Sequence, residues 1–143
     1  MPQFVRVLLA DDSAHIREVL RSLLASEPID VVGEAADGLE AVRLVTAQDV
    51  DVAILDLMMP VLNGIEATRQ IRQQSLGTRV VLLTGHAEPY HILGAFDAGV
   101  CGYVAKKDAG EELTQAIHEV FRGNRYLSAA ISRVVSGANP PGA

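Results

Sequence analysis

The sequence predicts an α/β fold: a parallel sheet with helices on both faces. Three observations carry this. Apolar runs of strand length alternate with segments of helical period along most of the chain. The runs are continuously apolar, as strands buried on both faces are. A segment long enough to be a crossover helix follows each run, and parallel neighbours need such connections.

The first strand is FVRVLLA (4–10). In the helix that follows, Ile16, Val19, Leu20, Leu23 and Leu24 recur at i, i+3, i+4, i+7 and i+8, which is one helical face. Ser13 suits the N-cap and Pro28 marks the exit. IDVVGEA is the second strand. After the turn ADG, the second helix runs through LEAVRLVTAQ with Leu39, Val42 and Val45 inward. DVAIL (51–55) is the third strand, and a loop with Pro60, Asn63 and Gly64 leads into the helix IEATRQIRQQ. RVVLLT (79–84) is the fourth strand, followed by a helix around PYHILGAFDAG with Pro89 in its first turn. VCGYVAK (100–106) is the fifth strand, and DAGEELTQAIHEVFRGN is the last long helix, with Leu113, Ile117 and Val120 on one face. The tail YLSAAISRVVSGANPPGA reads as a short helix and then a Gly/Pro-rich stretch expected to be disordered. This divides the chain into one domain, residues 1–122, and a linker or tail, 123–143.

The totals narrow the function. A chain of 143 residues with 49% apolar residues can bury a real core as one domain. It has no apolar run of the roughly 18 residues that would suggest a membrane span, and MPQFVRVLLADD turns acidic too soon for a signal peptide. One cysteine, Cys101, allows no internal disulfide, so a cytoplasmic home is expected and the thiol reads as a small buried hydrophobe. A net charge of −6 argues against gripping nucleic acid through the overall field. Yet from Arg122 onward there are three arginines and no acid, and the only two lysines are the neighbours Lys106 and Lys107.

Asp56 interrupts an apolar stretch, ILDLMMP, where a buried unpaired carboxylate would be costly. Its position explains it. Asp11 and Asp12 follow the first strand, Asp56 the third, Thr84 ends the fourth and Lys106 the fifth. All lie at carboxyl ends of strands, which in an open parallel sheet form a single ligand-binding crevice. Two carboxylates about 4 Å apart repel by roughly 4 kcal/mol at an effective dielectric of 20, so either protons stay on or a cation sits among them. Hard oxygen ligands without His or Cys suit Mg²⁺ better than zinc. A lysine ammonium and a threonine hydroxyl beside such an ion are what a phosphoryl group needs, and an aspartate carboxylate can itself be the nucleophile.

The set LLADDS, ILDLMMPVLNGIEA, VVLLTGHAE and GAFDAGVCGYVAKKDAGEEL, over residues 4 to 122, resembles the receiver domain of bacterial two-component response regulators. GYVAKKDAGEEL followed by GNRYLS most resembles the NarL/FixJ/LuxR-type subfamily, whose receivers precede a helix-turn-helix DNA-binding domain. The resemblance implies a flavodoxin-like, five-stranded parallel sheet in the order 2-1-3-4-5. It implies that Asp56 accepts a phosphoryl group from a phosphohistidine on a sensor histidine kinase, with Mg²⁺ (or Mn²⁺) held by Asp11, Asp12, Asp56 and the main-chain carbonyl of Met58. Lys106 and Thr84 would contact the phosphoryl oxygens, and Gly85 would keep the path to Asp56 open. Thr84 and Tyr103 would form the switch, remodelling the surface of the fourth helix and fifth strand. The expected output is transcription through a DNA-binding domain absent from this chain, with a homodimer on phosphorylation, no membrane and no enzymatic role beyond the domain's own phosphorylation and dephosphorylation.

Blander readings exist for each residue taken singly. Asp11 and Asp12 could be acids favoured at a helix N-terminus, Thr84 a strand-end hydroxyl, Tyr103 core packing and Lys106 a solvated strand end. Their joint order and spacing favour the site, with Lys107 as a register alternative to Lys106. His86 stands where water access to the phosphoryl group would be affected, while His15, His91 and His118 are scattered, and Met58–Met59 reads as loop packing. Lys107 also stands where many receivers have proline. The acid-free end and the GNRYLS stretch favour a fragment of a longer regulator over a stand-alone receiver. A dehalogenase-type phosphatase would need an acid where Met58 stands, and an FMN binder would not offer carboxylates to an anion. A pure docking module would not need the acids and lysine.

Overall fold

The computed structural model describes residues 4–75, 77–85 and 89–138. The expectations for His86 and for the Gly/Pro-rich end at 139–143 lie outside the described residues. The elements run β1 (Val5–Ala10), α1 (Ala14–Leu24), β2 (Ile29–Ala35), α2 (Gly38–Ala47), β3 (Val52–Asp56), α3 (Gly64–Gln74), β4 (Arg79–Thr84) and α4 (Pro89–Ala98). Then follow β5 (Gly102–Ala105), a 3₁₀ turn (Lys106–Asp108), α5 (Ala109–Phe121), β6 (Tyr126–Leu127) and α6 (Ala129–Ala138).

Local chemistry sets the helix starts. Ser13, Asp37 and Asn63 each accept a hydrogen bond from the backbone N–H three residues on, opening α1, α2 and α3. Such caps are worth about 1 kcal/mol each. The sheet is parallel, in the order β2-β1-β3-β4-β5-β6. The first five strands thus take the expected flavodoxin-like order, and β6 is an addition. Two residues without an apolar run leave no strand signal in the sequence, so β6 is visible only in the structure.

Successive strand residues point to opposite faces, and the core divides accordingly. Val5, Val7 and Leu9 of β1 join Ile54, Val81 and Val104 in a cluster with Leu20 and Leu24 of α1 and Leu113, Ile117 and Val120 of α5. Leu8, Leu55, Leu82 and Tyr103 join the other cluster with α2, α3, Ile92 and Ala95 of α4 and Ala130 and Ile131 of α6. The sheet is therefore covered on both sides.

Two expectations need correction. Val19, counted on the inner face of α1, is 50% exposed, because Leu20 and Leu24 carry the contact with the sheet and Val19 falls at the edge of the stripe. Cys101 is only partly buried. No helix among the described residues is long and apolar enough to cross a membrane.

Candidate functional site

The strand register assembles the site. Ala10 pairs with Leu55, so Asp11 follows one strand where Asp56 ends its neighbour. Asp56 pairs with Leu83, which places Thr84 one step beyond, and Thr84 pairs with Ala105, the residue before Lys106. Asp11, Asp56 and Lys106 stand two residues after Leu9, Ile54 and Val104, and so share the parity of the face that meets α1 and α5. Thr84 and Tyr103 share the parity of the opposite face.

Carboxylate oxygens of Asp11, Asp12 and Asp56 lie within 4.8 Å of one another. The Lys106 Nζ lies 3.3 Å from Asp11 Oδ2 and 3.4 Å from Asp56 Oδ2. Asp11 and Asp56 are buried and Asp12 is exposed, which leaves the cluster open to solvent on one side. Lys107 is exposed and makes no ion pair among the described residues, so Lys106 is the lysine that joins the acids.

Burial, and after it the charge of Asp11, pushes the Asp56 carboxyl up to about 6 against the pull of Lys106. Burial works against the Lys106 ammonium, but Asp56 and Asp11 outweigh it and hold the group above its ordinary range. The acids thus carry more negative charge than one lysine relieves. Among the described residues, Asp11 Oδ2 is buried, and the cation it faces is the Lys106 ammonium at 3.3 Å. A hard divalent cation is the partner that this all-oxygen set fits.

The backbone around Asp56 is tightly built. Met58 N–H donates to Asp56 Oδ1 at 3.4 Å, and Gly64 N–H donates to the Leu57 carbonyl at 2.9 Å. A Cβ on Gly64 would stand 2.6 Å from the Asp56 carbonyl oxygen, so only glycine lets α3 start this close to the end of β3. Met58 itself is exposed. Tyr103 is fully buried; burial pushes its phenol up to about 12, and the nearby Thr84 hydroxyl opposes this only in part.

Arg17, which no motif in the sequence marks, also reaches the site. Its Nη1 donates to the Asp11 carbonyl at 2.5 Å, and its Nε donates to Glu34 at 3.0 Å. Glu34 also accepts from Arg21, whose hydrogen bond is the main cause of its lowered pKa. Ser13 N–H donates to Asp11 Oδ1 at 2.9 Å. Together these fix Asp11 from α1, and no spacing in the sequence signals a contact between a helix and an edge strand.

The family model of the response regulator receiver domain matches residues 7–118. The chain belongs to the response regulator receiver family. This receiver is 37% identical over 130 residues to the response regulator UvrY of Escherichia coli O157:H7, a match covering 90% of this chain and 60% of that protein. It is 34% identical over 137 residues to the probable transcriptional regulatory protein NarL of Mycobacterium tuberculosis (strain H37Rv), covering 95% and 63%. The receiver therefore spans about three fifths of the length of these curated relatives. Among solved structures, a LuxR-family two-component response regulator from Aurantimonas sp. SI85-9A1 superposes with a TM-score of 0.90 at 38% identity, covering 95% of this chain and 98% of that one.

Proposed function

We propose that Asp56 is the phosphoacceptor and that Asp11, Asp12, Thr84 and Lys106 complete its site. The observation that carries this is the meeting of Lys106 with both Asp11 and Asp56 at the carboxyl edge of the sheet. A carboxylate oxygen of Asp56 attacks the phosphorus of a phosphohistidine on a sensor histidine kinase. The P–O bond forms as the P–N bond breaks, and the imidazole leaves with the electron pair. Lys106 counters the charge on the phosphoryl oxygens, and Thr84 supplies a hydroxyl donor to them. Held in place by strand ends, Asp56 and Lys106 need little rearrangement as charge develops.

Asp11, Asp12, Asp56 and the Met58 carbonyl are the residues that would hold Mg²⁺, or Mn²⁺ in its place. The ion supplies charge neutralisation for the acids and the incoming phosphoryl group. At neutral pH a carboxyl near 6 is mostly ionised, so Asp56 is ready as a nucleophile.

Thr84 and Tyr103 form the switch, two residues that share the face toward α4 and α6. Residues 1–122 act as the receiver and 123–143 as the linker, in the cytoplasm, with dimer formation on phosphorylation and an output in transcription through a DNA-binding region. The relatives' names support that output, since one is a probable transcriptional regulatory protein.

The test is incubation with a small phosphodonor and Mg²⁺, read as an added phosphoryl mass that hydroxylamine removes. The adduct is expected on the wild type and absent from Asp56→Asn. No adduct on the wild type, or an unchanged adduct on the variant, rejects the assignment. Lys106→Ala is expected to keep a detectable adduct while losing the coupling to output.

A further inference from the structure

The face that Thr84 and Tyr103 look toward is occupied by the chain's own end. β6 pairs with β5, Gly102 with Tyr126 and Tyr103 with Leu127. α6 packs behind it, with Ala130 and Ile131 buried in the cluster that contains Tyr103. The start of α6 is held by side chains distant in sequence. Ala129 N–H donates to Glu112 Oε2 at 3.0 Å and Ala130 N–H to Asp108 Oδ2 at 2.9 Å. The Tyr126 hydroxyl donates to Glu112 Oε1 at 2.6 Å.

Asp108 and a further anchor, Ser128, adjoin the phosphoacceptor site through the backbone. The Ala105 N–H donates to Ser128 Oγ at 3.0 Å, and Ala105 is both the register partner of Thr84 and the neighbour of Lys106. Asp108 closes the same three-residue turn that Lys106 opens. Space connects them as well. A cleft of about 610 Å³ is lined by Thr84 and Lys106 from the site and by Ala130, Arg133 and Val134 from α6.

We propose that residues 126–138 form a latch whose docking is tightened by negative charge at Asp56. The inference rests on Asp56 being the phosphoacceptor. A phosphoryl group adds roughly one to two negative charges. Arg133 lines the cleft that opens on the site and is drawn toward that charge. Its competing partner is Asp108, which is half-buried and already bound to the α6 backbone. The amino end of α6, the positive end of its dipole, also lies on the side of β5 and the turn, and favours the added charge in the same sense. If Thr84 is drawn toward the phosphoryl oxygens, the space it leaves in a fully packed cluster favours retaining the Tyr103 ring inside, and α6 is what covers that ring. The chain's own end is then the first reader of the switch, and any partner of this face must bind it with the latch in place.

Hydrogen exchange read by mass spectrometry on the full chain tests this, with a small phosphodonor and Mg²⁺ and the Asp56 adduct confirmed in the same sample. Exchange in peptides covering 126–138 is expected to slow by about fivefold or more, the usual scale of coupling between sites. Arg133→Glu is expected to keep the adduct and lose the slowing. Ser128→Ala is expected to raise exchange in this segment with or without the adduct. An adduct on Asp56 with unchanged or faster exchange in 126–138 overturns the latch, as does full slowing in Arg133→Glu. Absence of the adduct rejects the phosphoacceptor reading first, and the latch with it.

Discussion

Removing one charge from the acid cluster is expected to make the metal-free protein more stable. In Asp56→Asn the side chain keeps its shape and loses its charge. At 4.8 Å two carboxylates repel by about 3.5 kcal/mol at an effective dielectric of 20, and the buried Asp11 acts on Asp56 within that distance while the exposed Asp12 is screened by solvent. Lys106 at 3.4 Å attracts by about 5 kcal/mol on the same scale. Burial of the carboxylate, the largest cause, turns the balance against the charged aspartate. The titration leads to the same sign: a rise from 3.8 to about 6 corresponds to about 3 kcal/mol at 1.36 kcal/mol per unit. Only 7% of the Asp56 side chain is exposed, so its desolvation is close to complete, while Lys106 is a third exposed and its pull is partly screened. Because the folded value lies above the unfolded one, the native state binds the extra proton between about pH 4 and 6, and wild-type stability falls as pH rises through that window. Below about pH 4 the proton is on in both states, and the advantage of the variant should vanish. Urea and thermal unfolding in EDTA at pH 4 and pH 7.5 measure this, with a shift on the order of 5–10 °C expected at the higher pH. Mg²⁺ should narrow the gap by stabilising the wild type more. If Asp56→Asn is less stable than the wild type in EDTA at pH 7.5, the charge balance drawn for this cluster is wrong.

Other expectations follow from the packing. Gly64→Ala forces a Cβ against the Asp56 carbonyl and should cost about 1–3 kcal/mol in urea unfolding, with slower adduct formation from the displaced loop. Val61 has φ of +68° and is 75% exposed, so Val61→Asn should raise stability by roughly 1 kcal/mol; a loss would show that this side chain makes a contact worth more than the strain. Leu113→Ala, at the centre of the α5 contact with the sheet, should cost about 2–5 kcal/mol by the same assay.

The strand ends were legible because burial on both faces leaves long apolar runs, and any polar residue just after such a run stands out. Asp11, Asp56, Thr84 and Lys106 each occupy that place. Their meeting needed only the rule that parallel strands end on one edge, and the side chains that meet the lysine also share strand parity. Arg17 shows where such reading stops. Its two partners are a main-chain carbonyl and an acid on an edge strand, and neither leaves a periodic trace. Ser128 is similar: a serine in the tail carries no sign that its hydroxyl will accept from the N–H of Ala105 at the end of β5. Val19 departs from the helical stripe for a different reason. Helical period finds the stripe, but the width of the stripe depends on what lies opposite, and α1 meets the sheet through a narrower line of residues.

The short β6 has a consequence for how the protein behaves in quantity. A sheet border presents unpaired N–H and C=O groups that recruit other chains, and proteins commonly blunt it with charge or cover it. At the β2 border, Asp30 and Glu34 provide charge. At the β5 border the segment GYVA has no charge of its own, and β6 with α6 supplies the cover. Shortened to end at Arg122, the chain would leave that border bare and uncover apolar surface around Tyr103. Such a version should self-associate in light scattering at concentrations where the 143-residue chain stays dispersed.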